Sequence, residues 1–179
     1  MATARLDPTG ETSIGSGAGA WNTPIWSKML QSGVTDPTAP DTSTPASASY
    51  VDGDDVRIKV AVSNLSDVDV ATAFTIHYYA RGMITVSGIG YHINGSQVGS
   101  TDQTQTLGIL DGYGWRTLTF SGLSLSQSDL NTLEILFDPI ASDSGSASID
   151  IAAMYVVVTY DQSTPPSGSS GTALLMELV

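Results

Sequence analysis

The chain of 179 residues contains no cysteine, which excludes disulfides, thiolate metal sites and thiol nucleophiles. Cations are nearly as scarce. Six Lys and Arg stand against 18 Asp and Glu, for a formal charge of −12. Arg5, Lys28, Arg57, Lys59, Arg81 and Arg116 are also scattered rather than massed. Phosphate backbones and anionic lipid surfaces are held by clustered cations that displace counterions, so neither nucleic acid nor a membrane is an expected partner. No run approaches the ~20 apolar residues of a membrane helix. Residues 1–20 lack a charged stretch followed by an apolar one. The expectation is a protein made and used without crossing a membrane by the usual route.

What the chain does have is β signal. Ala147 to Tyr160 is its longest β-favouring run. Side chains alternate along a strand, which puts Ile149, Ile151, Ala153, Tyr155 and Val157 on one face. Asp150, then Met154, Val156, Val158 and Tyr160, fall on the other. A strand covered on one side only needs no second apolar set, so the second face is expected to meet another segment or another chain. Val56, Ile58, Val60 and Val62 alternate with Arg57, Lys59 and Ala61 as a half-buried strand, and Phe74, Ile76 and Tyr78 alternate with Thr75, His77 and Tyr79. Ile84 to Ile93 changes parity around Gly88 and Gly90, the mark of a bulge or tight bend. Asn94-Gly95 then signals a hairpin, with a return strand from Val98. Leu107–Leu110, Trp115–Phe120 and Leu133–Phe137 complete a set of about eight short strands, and the last of these ends at Asp138-Pro139. Ser126–Thr132 is the one helical candidate, a single turn with a Ser or Asp cap. The fold class is all-β, with a jelly-roll sandwich as the expected topology.

Three regions follow. Residues 1–20, rich in Gly with only Leu6 and Ile14 as sizeable apolar groups, read as a flexible N-terminal arm. Residues 21–160 are the sandwich. Residues 161–179 are a polar linker with a short apolar tail, A-L-L-M-E-L-V. Within the sandwich, Pro24 interrupts a segment carrying Trp21, Trp26, Ile25 and Met29, and reads as edge strand or loop. Thr35 to Ser49 holds three prolines and no large apolar residue. Connections that long are often functional. It is expected to lie across a sheet face or reach a neighbour.

No constellation carries chemistry. Asp52, Asp54 and Asp55, or Asp67 and Asp69, are oxygen donors, but calcium wants six to eight oxygens and Asp is a preferred turn residue. Two histidines, His77 and His92, are too few for a catalytic zinc without a carboxylate. Nothing forms a nucleophile elbow or a phosphate loop. Glu134 sits between apolar strand residues, while Glu11 and Glu177 fall in the flexible ends. The expectation is no enzyme, no cofactor and no metal site.

W-R-T-L-T-F from Trp115, S-D-L-N-T-L-E-I-L-F from Ser128, and I-D-I-A-A-M-Y-V-V-V-T-Y from Ile149 come in an order that resembles jelly-roll structural proteins of tailed bacteriophages. The resemblance covers about Trp21 to Tyr160. It implies a virion role, most simply a capsid decoration or cement protein. Such a protein would be made in the host cytoplasm, sit on the capsid exterior and bind the major capsid protein. Capsid symmetry makes a homotrimer the first expectation. Trp21, Trp26, Met154, Val156, Val158, Tyr160, Leu174 and Leu175 are the candidate interface. The alternatives are a carbohydrate-binding jelly roll of a fibre or adhesin, using exposed Trp21, Trp26, Trp115, Tyr79 or Tyr113, and a tail structural subunit.

Overall fold

The computed structural model describes residues 1–13, 21–22, 24–31, 34–36, 38–51, 56–82, 85–98, 103–105, 112–140 and 146–163. Two antiparallel sheets face each other. Sheet A has the order β1 (Ala2–Leu6), β11 (Ser146–Gln162), β5 (Val68–Gly82), β9 (Gly114–Leu125), and β3 (Ala46–Val51) also pairs with β11. Sheet B runs β2 (Pro8–Ser13), β4 (Ile58–Val62), β10 (Glu134–Ile140), β6 (Thr85–Ile93), β7 (Ser96–Gln97), with β8 (Gln103–Gln105) also on β6. From β1 to β6, and again from β9 to β11, each successive strand lies in the opposite sheet. That alternation is the jelly-roll-like sandwich expected from the short, evenly spaced strands.

Alternation fills the core as the sequence predicts. Val56, Ile58, Val60 and Val62 are buried, and so are Phe74, Ile76 and Tyr78. Phe74 meets Tyr91 edge to face at 5.0 Å, and Tyr78 meets Phe137 at 5.9 Å, tying the sheets together. Asn94 and Gly95 both take positive φ (51° and 75°) and close the β6–β7 hairpin, with Ile93 opposite Ser96. Two positive φ values in a two-residue turn match the twist of paired strands. The expected bulge in β6 is present: Phe137 faces Ile89 but Pro139 faces Val86, one residue out of step. Ser126 caps helix α2 (Gln127–Leu130). Its hydroxyl accepts from the Asp129 N–H, and the Asp129 carboxylate accepts from the Ser126 N–H.

Four expectations are corrected. First, residues 2–13 are not a flexible arm. β1 pairs with β11 and β2 with β4. Leu6 is 1% exposed and Ala2 and Ala4 pack against the core, while ladder hydrogen bonds pair the backbone of the segment, and composition cannot reveal those. Second, the segment around Pro24 is a helical turn, α1 (Ile25–Met29), with Pro24 at its N-cap. Proline suits a helix start because its missing N–H is not needed there. Glu11, placed in the arm by its sequence, accepts from the Trp26 N–H at 2.6 Å. Third, β10 does not stop at Asp138-Pro139. β4 reaches only Phe137, so Pro139 lies where no partner on that side asks for its N–H.

The fourth correction concerns β11. Its register with β5 slips between Ile151 and Ala153. That bulge reverses the parity of everything after it. Ile149 and Ile151 point into the core, and so do Met154, Val156, Val158 and Tyr160, all at most 7% exposed. The second apolar face therefore covers the sandwich interior. It is not an interface. Trp21 leaves that set too: it is 6% exposed and donates its indole N–H to the Val56 carbonyl at 2.8 Å. Trp26 is half-buried against the core. Leu174 and Leu175, the strand expected at 107–110, and most of the 161–179 tail lie outside the described residues.

Candidate functional site

The same bulge turns Ala153, Tyr155, Val157 and Thr159 to the outer face of sheet A. There Tyr155 lies opposite His77, His77 opposite Thr117, and Tyr79 opposite Trp115. Tyr113 enters from the turn before β9. The result is a continuous aromatic group. Tyr79 stacks on Tyr113 (5.5 Å, 7°) and meets Trp115 at 5.3 Å, and Trp115 meets Tyr155 at 5.6 Å, edge to face. Tyr155 stacks on His77 at 4.5 Å with the rings 6° from parallel. Three sequence-predicted residues, Tyr79, Tyr113 and Trp115, are thus brought together, and Trp21 and Trp26 are not among them.

Two of these rings are occupied by neighbours. The Arg5 guanidinium lies 4.3 Å from the Tyr155 ring centre, and Tyr155 is 4% exposed. Arg81 lies over Tyr113 at 4.7 Å. Trp115 differs. Its ring contacts, at 57° and 71°, are both far from parallel, so among the described residues no ring stacks on its face. Its orientation is set by an N–H bond from Nε1 to the Thr38 carbonyl at 3.0 Å.

Polar groups rim the aromatic group. Asp150 accepts from Arg81 Nε at 2.7 Å and from the Tyr113 hydroxyl at 3.5 Å. Burial, then the Asp150 charge, pushes the Tyr113 phenol up. Thr75 and Thr119 share a hydroxyl–hydroxyl bond of 2.9 Å further along the face. The imidazole Nδ1 of His77 is buried without a hydrogen-bond partner among the described residues. Burial pushes its pKa down; Asp36 opposes this and Arg5 adds to it.

The proline-rich connection forms the border. Gln31 Nε2 donates to the carbonyls of Asp41 (2.6 Å) and Ala152 (2.7 Å), and Gln31 Oε1 accepts from the Asp41 N–H (2.7 Å). Between them, Val34, Asp36 and Thr38 touch residues of the sheet. Arg5 donates to the Val34 carbonyl at 2.6 Å, and the Asp36 N–H donates to the Tyr155 hydroxyl at 3.3 Å.

The outer face of sheet B offers less. Lys59 and Glu134 form an ion pair of 2.8 Å, with side chains 11% and 19% exposed, beside a depression lined by Asn94, Asn131 and Thr132. His92 stands opposite Glu134, its Nε2 buried and without a hydrogen-bond partner among the described residues. His77 and His92 are thus on different sheets and do not meet. Among the described residues no three His, Asp or Glu converge on a metal position. Asp67, at φ 61°, and Asp69 are exposed turn and strand residues.

No protein-family model matches the chain, and no curated protein does. Solved structures with a similar strand arrangement include a CBM4 domain (16% identity, 66% of this chain and 87% of that one, TM-score 0.44). The N-terminal cellulose-binding domain of Cellulomonas fimi β-1,4-glucanase C is another (16%, 71% and 84%, TM-score 0.40). So is CBM35 from Paenibacillus barcinonensis (13%, 90% and 100%, TM-score 0.40). With every TM-score below 0.5, the likeness carries no function to this chain.

Proposed function

We propose that the outer face of sheet A binds carbohydrate, with Trp115 as the platform on which a sugar ring lies. The observation that carries this reading is the indole itself. It is held by a hydrogen bond, its two ring contacts are both far from parallel, and among the described residues no ring stacks on its face. A fixed aromatic face offers apolar contact to the C–H side of a pyranose without losing side-chain freedom on binding. Sugar hydroxyls need donors and acceptors at the rim, and Arg81, Asp150, the Tyr113 hydroxyl and Thr117 surround the ring cluster there. The module is non-catalytic in this reading.

The virion reading loses Trp21, Met154, Val156, Val158 and Tyr160 from its candidate interface, because they fill the core. Binding of the purified protein to immobilised glucans, xylans and mannans tests the proposal. Trp115→Ala is expected to weaken binding at least about tenfold, equivalent to 1.4 kcal/mol, while Trp26→Ala leaves it unchanged. A wild-type protein that binds none of these glycans, or a Trp115→Ala variant that binds as well as wild type, overturns it.

A further inference from the structure

Gln31 and Asp41 close the neck of a loop whose tip rests on the aromatic group. The neck is a reciprocal pair of side chain–backbone bonds (2.6 and 2.7 Å). The tip is a turn in which the Thr38 N–H donates to the Thr35 carbonyl at 2.8 Å. From that turn the Asp36 N–H reaches the Tyr155 hydroxyl, and the Thr38 carbonyl receives the Trp115 indole N–H. Compact surface loops with clasped ends are frequently functional.

The loop divides the aromatic face unequally. On one side of Trp115, Tyr155 is 4% exposed. It is stacked on His77, crossed by Arg5 and bonded to the loop backbone. On the other side, Tyr79 and Tyr113 remain part-exposed beside Arg81. A sugar on Trp115 can be followed by further units toward Tyr113, but the loop tip occupies the path toward Tyr155.

We infer that residues 34–36 and 38–41, clasped by Gln31, form an end wall, so that the site takes the terminus of a glycan chain or a short oligosaccharide and not the middle of a long chain. This rests on the carbohydrate reading of the Trp115 face. It adds that the part-exposed rings on the open side, Trp115, Tyr79 and Tyr113, limit how many sugar units the aromatic group can contact.

Calorimetric titration with cello-, xylo- and manno-oligosaccharides, from disaccharide to hexasaccharide, tests it. Affinity in the wild type is expected to rise to about the trisaccharide and then stay level. Gln31→Ala unclasps the neck, while the Trp115 ring keeps its contacts with Tyr79 and Tyr155. It should raise the ratio of hexasaccharide to disaccharide affinity several-fold, a readout that a general loosening of the indole would not move. A wild-type affinity that climbs steadily to the hexasaccharide overturns the inference and leaves the carbohydrate reading standing. A folded Gln31→Ala protein with the wild-type length profile also overturns it. Should that variant fail to fold, insoluble polysaccharide before and after limited hydrolysis gives the answer with wild-type protein. Binding capacity must rise with the number of chain ends, and a capacity independent of chain ends overturns the inference. If no oligosaccharide binds at all, the carbohydrate reading itself fails.

Discussion

Gln31 donates its side-chain amide to the carbonyl of Ala152, 121 positions later in the chain, at 2.7 Å. Ala152 is the extra residue of the β11 bulge. β3 pairs with β11 only as far as Ile151, β1 begins at Val156, and β5 skips the residue. Its carbonyl therefore has no ladder partner, in a residue that is 0% exposed. Gln31 supplies the partner. In doing so it couples the bulge that places Tyr155 outside to the loop that lies upon it.

An unsatisfied buried carbonyl costs ~1–3 kcal/mol. Gln31→Ala is expected to lose stability of about that size, read as a lower urea midpoint with an unchanged slope. A midpoint within error of wild type shows that Ala152 finds another partner.

Met154→Ala distinguishes core from interface. Met154 is 1% exposed inside the sandwich, and removing a buried Met side chain typically costs ~2–5 kcal/mol. A loss below about 1 kcal/mol in the isolated chain is incompatible with a core position at this level of burial.

Gly82 lies where β5 passes β11. A Cβ there would stand 2.6 Å from the Ser148 carbonyl oxygen and 3.3 Å from the Ile149 Cα. Both are backbone atoms of a paired strand and cannot swing aside. Gly82→Ala is expected to destabilise by ~1–3 kcal/mol, measured by thermal unfolding. A neutral result shows that the strands can separate locally at no cost.

Stability should also fall with mild acid. Burial holds the His77 pKa below its ordinary value near 6.5, so the unfolded chain binds this proton more readily than the folded one. Stability is then intact above about pH 6.5 and declines as pH drops toward the folded pKa. The charged and titratable groups around His77 are Arg5, Asp36 and Tyr155. Most carboxylates titrate near pH 4, and hydrogen bonds from Ser126 hold Asp129 lower still, which leaves the window from about pH 7 to 5 to histidine. His77→Phe keeps a ring on Tyr155 and should flatten the melting temperature across that window. An unchanged slope assigns it to a group other than His77.

Much of this protein was legible in the order of its residues. The alternation of Val56–Val62 and of Phe74–Tyr79, the Asn94-Gly95 turn and the Ser126 cap each depend on a few neighbouring side chains. Such local chemistry survives in any tertiary context that keeps the strands half-buried, and it determined an all-β sandwich. Tyr79, Tyr113 and Trp115 could be named as aromatics on strands and turns, but nothing local said that they meet.

The tertiary structure decided where each face of β11 points. One residue inserted at Ala152 exchanges inside for outside over the rest of the strand, because side-chain period in a sheet is two. Periodicity continued through that point assigned Met154, Val156, Val158 and Tyr160 to a partner and Tyr155 to the core. The pairing of β11 with β5 reverses both. The N-terminal strands were hidden for a related reason. Backbone groups hold them, every residue carries those groups, and composition therefore leaves no trace of which segments a sheet will recruit.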